Sequence, residues 1–251
     1  TETYKGGAFE RGLQALGYEI AAKPLRHPTP DDLLIMWNRN RSNEHLAACY
    51  EACGARVVIA ENGYLPMPDG SKPYALALSH HNVAGFSPNG ELARLDFPIQ
   101  PWRESGNHIV VLAQRGIGER GVAMPIGWAD GAMKRLREIT DRPILLRKHP
   151  GPSKDDPRRD LEGAHCAVTW GSGAALKAIA YGIPVFHAFP KWIGSPASYP
   201  FGAEIEDCFT GDREPMLTRI SWAQWSLAEI ESGIAFSRLL HADQRLLRAR
   251  Q

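Results

Sequence analysis

Two turns and one carboxylate hold most of the side chains that could do chemistry. Gly171-Ser172-Gly173 stands between the apolar stretch 165–170 (HCAVTW) and the small-residue stretch 174–181 (AALKAIAY). Read as strand, turn and helix, the glycines let backbone N–H groups approach an anion, the first helical turn adds partial positive charge, and Ser172 offers a hydroxyl donor. Phosphate oxygens are the natural guest. The same residues also suit a tight turn in which Ser172 caps the helix and nothing binds. The second turn, Arg147-Lys148-His149-Pro150-Gly151, ends the stretch 143–147 (PILLR). It stands where ligands bind in open α/β sheets, outside the carboxyl ends of the strands. Arg147 can grip a phosphate with two hydrogen bonds and His149 can donate one in either protonation state. A solvated basic turn is the alternative. A third loop, 114–121 (QRGIGERG), opens with Gln114, Arg115 and Gly116 and suits a phosphate clamp or an interdomain rim. It fits neither a dinucleotide-binding fingerprint nor a P-loop, which argues against a dehydrogenase or a P-loop kinase.

The carboxylate is Glu61, in Glu61-Asn62-Gly63-Tyr64 after the apolar stretch 56–60 (RVVIA). At a strand end on the opposite half of the chain it stands where a sugar transferase needs a general base, facing the donor and taking the proton of an acceptor hydroxyl. An Asn-Gly turn with an exposed glutamate fits the same residues. His80-His81-Asn82 ends the next stretch, 74–79 (YALALS), at the same rim. Adjacent strand residues point to opposite faces, so the histidines are not expected to share a metal. One is a candidate contact to acceptor or phosphate, and a structural role is the other reading. Tyr64 and Trp37 are candidate acceptor-side aromatics. No metal site is expected, and Asp155-Asp156 reads as a solvated turn.

Alternating elements must position these groups. Helices are expected over 8–17, 43–53, 128–140, 174–181 and the tail 213–248, where Ser226 and Glu229 have capping-box spacing. Strands are expected over 18–22, 32–37, 56–60, 74–79, 108–113, 143–147, 165–170 and 184–188. The alternation predicts parallel sheets covered on both faces. No strand precedes the first helix, which points to a trimmed N-terminus or an unusual first unit. The Gly-, Pro- and Asn-rich stretch 85–107 marks a boundary. Residues 1–100 are taken as an acceptor-side Rossmann-like domain and 101–251 as a donor-side one with closing helices.

With 251 residues, 43% hydrophobic and 23% charged, the chain can bury one large core or two small ones. Lys+Arg of 29 against Asp+Glu of 28 leaves a net charge of +1, so any contact with nucleic acid must be local. No run approaches the ~18 apolar residues of a membrane span, and no signal peptide opens the chain. A cytoplasmic location is expected, with Cys49, Cys53, Cys166 and Cys208 as reduced structural thiols.

At these residues the sequence resembles the capsule-polysaccharide Kdo transferases and shares the outline of bacterial sialyltransferases of the GT-B fold. The resemblance rests on the order Glu61-Asn62-Gly63-Tyr64-Leu65, Arg147-Lys148-His149-Pro150, then Thr169, Ser172-Gly173-Ala174-Ala175, Ala178 and Gly182-Ile183-Pro184-Val185. It implies a compact GT-B-like α/β fold, two Rossmann-like halves facing across a cleft. It implies Glu61 as base and the donor phosphate on His149 and Ser172, with a nucleotide-sugar as co-substrate and neither cofactor nor metal. The family often has a second acidic residue where Asn62 stands. The tail with Trp222, Trp225 and Glu229 also looks like phage-encoded relatives, and phage enzymes of this broad type decorate hydroxymethylated pyrimidines in DNA. Arg238, Arg245, Arg248 and Arg250 gather near the C-terminus, and Arg39 and Arg41 flank a strand end. These clusters set DNA containing hydroxymethylpyrimidine slightly ahead of a glycan as the expected acceptor; a solvated arginine face is the plainer reading. The rivals are a nucleotide-sugar epimerase or hydrolase, and an inactive module that binds sugar or DNA.

Overall fold

The computed structural model describes residues 6–84, 92–151, 156–202 and 204–248, with side chains to residue 241. Residues 85–91 of the expected boundary and Asp155 lie outside the described residues. The fold is mixed α/β, built on two sheets. The first has the order β1-β2-β3-β9, formed by Leu33–Trp37, Arg56–Asn62, Tyr74–Leu78 and Gln224–Trp225. β1 and β2 are parallel, joined through the helix α2, Glu44–Ala52. β3 runs antiparallel to β2, and β9 antiparallel to β3. This corrects the expectation of parallel strands throughout. The loop between β2 and β3 contains no helix, and without a long crossover the chain can only turn back beside the strand it left.

The second sheet is wholly parallel, in the order β5-β4-β6-β7-β8. Its strands are β4 His108–Leu112, β5 Ile144–Arg147, β6 Ala164–Thr169, β7 Val185–His187 and β8 Tyr199–Pro200. Every residue of β6 is buried, as the near-continuous apolar run of a central parallel strand requires. The helices α3 Trp128–Ile139, α4 Arg158–Leu161 and α5 Gly173–Ala180 make the connections. α5 ends at Gly182, whose φ of 75° is left-handed. A side chain there would meet the Pro101 carbonyl at 1.9 Å, so glycine lets the segment before β4 lie against the helix end.

The first helix meets the last two. α1, Gly6–Gln14, lies against α7, Leu227–Glu231, and α8, Ile234–Arg248. Gly12 makes this possible, because any Cβ would sit 1.9 Å from the Ile230 carbonyl oxygen. Leu13 joins Val58, Leu76, Trp225, Ile230, Phe236 and Leu239 in one core, so the tail covers the first sheet. The expected strand 18–22 does not form. Residues 19–27 are exposed, and the stretch buries too little apolar surface to be held. The tail is also not one helical run. α6, Glu214–Ala223, stops for the short strand β9 before α7 begins at the expected capping box, Ser226 with Glu229.

Candidate active site

The three turns expected to hold phosphate follow adjacent strands of the second sheet, β4, β5 and β6, all at their C-terminal ends. The turns after β4 and β6 are linked by a side chain. Gln114, after β4, donates from its amide to the Gly171 carbonyl at 3.3 Å and accepts from the Gly171 N–H at 3.1 Å. Ser172 is the N-cap of α5, its Oγ accepting from Ala174 N–H at 3.1 Å, and its own N–H donates to Thr169 Oγ1 at 3.0 Å. The Gly171, Ser172 and Ala174 amides are therefore engaged by the Gln114, Thr169 and Ser172 side chains. This corrects the expectation that the Gly171 amide faces an anion. What the turn still offers is the Ser172 hydroxyl hydrogen and the positive end of α5. Gly116, with φ of 69°, turns the loop after β4, leaving Arg115 exposed.

His149 follows β5 and is exposed. Its Nδ1 accepts from Gly151 N–H at 2.9 Å, which puts the proton of the neutral ring on Nε2 and leaves that nitrogen as a donor. Burial, then the nearby charges of Arg115 and Arg147, push its pKa down. It is thus a neutral donor flanked by two cations. Arg147 Nε donates to Asp160 Oδ2 at 2.6 Å, so this cation is shared with a carboxylate of α4.

Across from these turns, Glu61 ends β2. Its Oε1 accepts from the Tyr64 hydroxyl at 2.5 Å and from Asn82 N–H at 3.1 Å. Burial pushes its carboxyl pKa up; the charge of His81 and these two hydrogen bonds work the other way without overcoming it. One oxygen is oriented and the second takes no hydrogen bond from the described residues, which suits a group that must receive a proton. Tyr64 belongs to the core of the second sheet: it is 6% exposed, and its ring lies 3.3 Å from where a Gly173 Cβ would be. A buried ring cannot stack on an acceptor, which corrects that expectation for Tyr64. Its place is structural, joining Glu61 to the opening of α5. Trp37 is half-buried, edge-on to Tyr74 at 6.3 Å. Gly63 is required here, because a side chain would sit 2.3 Å from Pro73 Cβ.

The histidine pair behaves differently from expectation. β3 stops at Leu78 and Ser79 takes a left-handed φ of 61°, so His80 and His81 do not alternate as strand residues. Both turn to one carboxylate. His80 Nδ1 is 3.1 Å from Glu119 Oε1 and His81 Nδ1 is 2.7 Å from Glu119 Oε2. Burial alone would raise the Glu119 carboxyl; the two histidines outweigh it and hold it well below the usual carboxylate range. For His81 burial disfavours the charge, but Glu119 and Glu61 raise its pKa overall. The Arg39 N–H faces His81 Nε2 at 3.3 Å and favours a neutral ring; the shorter bond to Glu119 outweighs that long contact. Glu119 thus ties the loop after β4 to the residues that follow β3.

Glu119 was not singled out in the sequence, nor was Gln224. The Gln224 Oε1 accepts from the N–H groups of Tyr64 and Leu65 at 3.0 and 3.1 Å, and its amide donates to the Leu65 carbonyl at 2.9 Å. No local pattern signals either residue, since each works through partners far away in the chain. Arg39 is 5% exposed and held by Glu44, Glu51 and the Ser79 carbonyl. Its charge is consumed inside the fold, which removes it as a contact for DNA phosphate. Arg238 stacks over Trp222 at 5.7 Å. The side chains of Arg245, Arg248 and Arg250 lie outside the described residues. No helix among the described residues is long and apolar enough to cross a membrane.

No family model matches the chain, and no match was found among curated proteins. Among solved structures, the chain is similar to the beta Kdo 2,7 transferase of Thermosulfurimonas dismutans KpsC, at 12% identity over 82% of this chain and 85% of that one, with a TM-score of 0.47. It is also similar to the beta Kdo 2,4 transferase of the same organism's KpsC, at 12% identity over 88% of each chain and a TM-score of 0.55. That second likeness shows the fold, a mixed α/β architecture shared with that structure.

Proposed function

We propose that the chain is a glycosyltransferase that moves a sugar from a nucleotide-activated donor to a hydroxyl of a glycan. The observation that carries this reading is one residue shared by the base and the donor turn: Tyr64 holds the Glu61 carboxylate with its hydroxyl and lies against Gly173, beside the cap Ser172, with its ring. A base and an anion-holding turn thereby meet around one side chain. In the reaction the acceptor oxygen bonds to the anomeric carbon as the bond from that carbon to the donor phosphate breaks. Glu61 takes the acceptor proton on its unbonded oxygen. The Ser172 hydroxyl, the His149 Nε2–H and the charge of Arg115 receive the leaving phosphate, fixed donors that need no rearrangement as charge develops. The likeness to a Kdo transferase fold supports this class of reaction. A glycan is favoured over DNA as acceptor because Arg39, one of the cations that suggested DNA, is internally paired.

The test incubates the protein with CMP-, UDP- and GDP-sugars and three acceptors: an oligosaccharide, hydroxymethylcytosine DNA and hydroxymethyluracil DNA. The expected result is a gain of one sugar mass on the oligosaccharide alone. A gain on modified DNA alone would overturn the acceptor, and donor turnover without any acceptor would overturn the transferase in favour of a hydrolase or epimerase.

A further inference from the structure

We propose that His165, Cys166 and Cys208 form a zinc site, with water in the fourth position, at the start of β6. The site lies at the end of the second sheet away from the donor turns, separated from Thr169 by roughly 13 Å of strand, and it goes beyond the proposed transfer reaction.

Alternation along a strand should send His165 and Cys166 to opposite faces. The pairing of β4 with β6 slips here: His108 pairs with Ala164 and Ile109 with Cys166, leaving His165 without an opposite residue. The extra residue is a bulge, and bulges redirect side chains. As a result the ligand atoms of His165, Cys166 and Cys208 all lie within 4.8 Å of one another. Cys208 Sγ is 3.5 Å from His165 Nε2.

His165 has one imidazole nitrogen with no partner among the described residues. Its side chain is 8% exposed and its Nδ1 makes no hydrogen bond. Its Nε2 has long contacts, 3.3 Å to the Ile205 carbonyl and 3.5 Å to each of Glu206 Oε2 and Cys208 Sγ. A buried polar nitrogen left this way is costly and calls for a reason. Two thiolates and an imidazole select zinc among the common divalent cations, and three protein ligands leave one position for water. Binding would release the two thiol protons to solvent as the sulfurs become thiolates. The nearby Arg142 is paired with Glu206, donating to both its oxygens at 2.8 to 3.0 Å, so its charge does not stand unpaired beside the metal. Cys208 is half-buried and gives the ion a way in. Zinc here would pin the segment bearing Ile205, which is part of the core over β4 and β6, to the strand it covers.

The experiment uses the full chain, reduced and stripped of metal, carrying Cys49→Ala and Cys53→Ala so that the exposed thiols of the first half cannot contribute. One equivalent of cobalt(II) is expected to give thiolate-to-cobalt charge-transfer bands and tetrahedral visible bands, which zinc then abolishes. Zinc should raise the Tm, and Cys208→Ser should weaken metal binding at least ~10-fold. Donor-induced stabilisation should be the same with and without zinc, which separates this site from the transfer reaction. Absence of the cobalt bands, bands unchanged by Cys208→Ser, or a Cys166–Cys208 disulfide in the protein as isolated would overturn the proposal.

Discussion

At the ends of β4, β5 and β6 each polar group lies within a few residues of the strand that places it. Glu61 is held quite differently: Asn82, 21 residues on, donates to it. Tyr64, its other partner, is fixed by Gln224, 160 residues further along. The donor turns are thus brought side by side by the register of a parallel sheet, with Gln114 tying two of them together. The carboxylate side is a tertiary construction, made by the tail returning to the first sheet. Loss of one distant contact should therefore damage the base side while leaving the donor side intact.

The largest effect expected from breaking this contrast is on stability. Gln224→Leu leaves the buried N–H groups of Tyr64 and Leu65 without their acceptor, at about 1–3 kcal/mol for each. Chemical denaturation should show this loss, and donor affinity of the folded fraction should be unchanged. A variant as stable as the parent would show that the tail does not secure the loop. Next is the base. Glu61→Gln should slow transfer by at least ~100-fold, with the nucleotide-sugar still raising the melting temperature by mass action. Transfer at the parent rate would place the base elsewhere.

On the donor side the expected losses are smaller and fall on affinity. Ser172→Ala and His149→Ala should each weaken nucleotide binding by roughly 1.5–3 kcal/mol in calorimetry. Ser172→Ala also removes the cap on α5, so its melting temperature should fall by the equivalent of about 1 kcal/mol; His149→Ala should leave stability alone. Unchanged affinity in both would remove these turns from the donor site.

The smallest effect concerns the bridge between the two sides. Glu119 is held below its ordinary value of 4.5, so its contribution is present above that pH and is lost only as pH falls toward its depressed value. His81 is raised above its ordinary 6.5, so its charge stabilises fully below that pH and the benefit fades as pH rises through the raised value. Stability from the bridge is therefore greatest between these two values and declines above them. Glu119→Gln should flatten the fall in melting temperature between pH 6.5 and more alkaline solution. An unchanged slope would show that the histidine pair does not couple the two sides.

This contrast also explains what could be read from the sequence. The parallel sheet was legible because β4 and β6 are continuous apolar runs and glycines punctuate their turns. The order of the motifs at Glu61, His149 and Ser172 pointed to the fold that the structure displays. The direction of β3 was not legible, since a loop without a helix carries no periodic signal, and neither was β9, only two residues long inside a helical pattern. Glu119, Gln224 and the Cys166–Cys208 approach were hidden for one reason: each depends on a partner far along the chain. The facing of His80 and His81 was not legible because the left-handed turn at Ser79, a residue with no strong preference for it, ends the strand just before them.

A crystal structure with a nucleotide bound tests the division between the two sides most directly. The account places the phosphate at the ends of β5 and β6, with Ser172 Oγ and His149 Nε2 each about 3 Å from its oxygens and the unbonded oxygen of Glu61 facing the open side of the same site. A phosphate seated on the loops of the first sheet, or one that touches neither Ser172 nor His149, would contradict it.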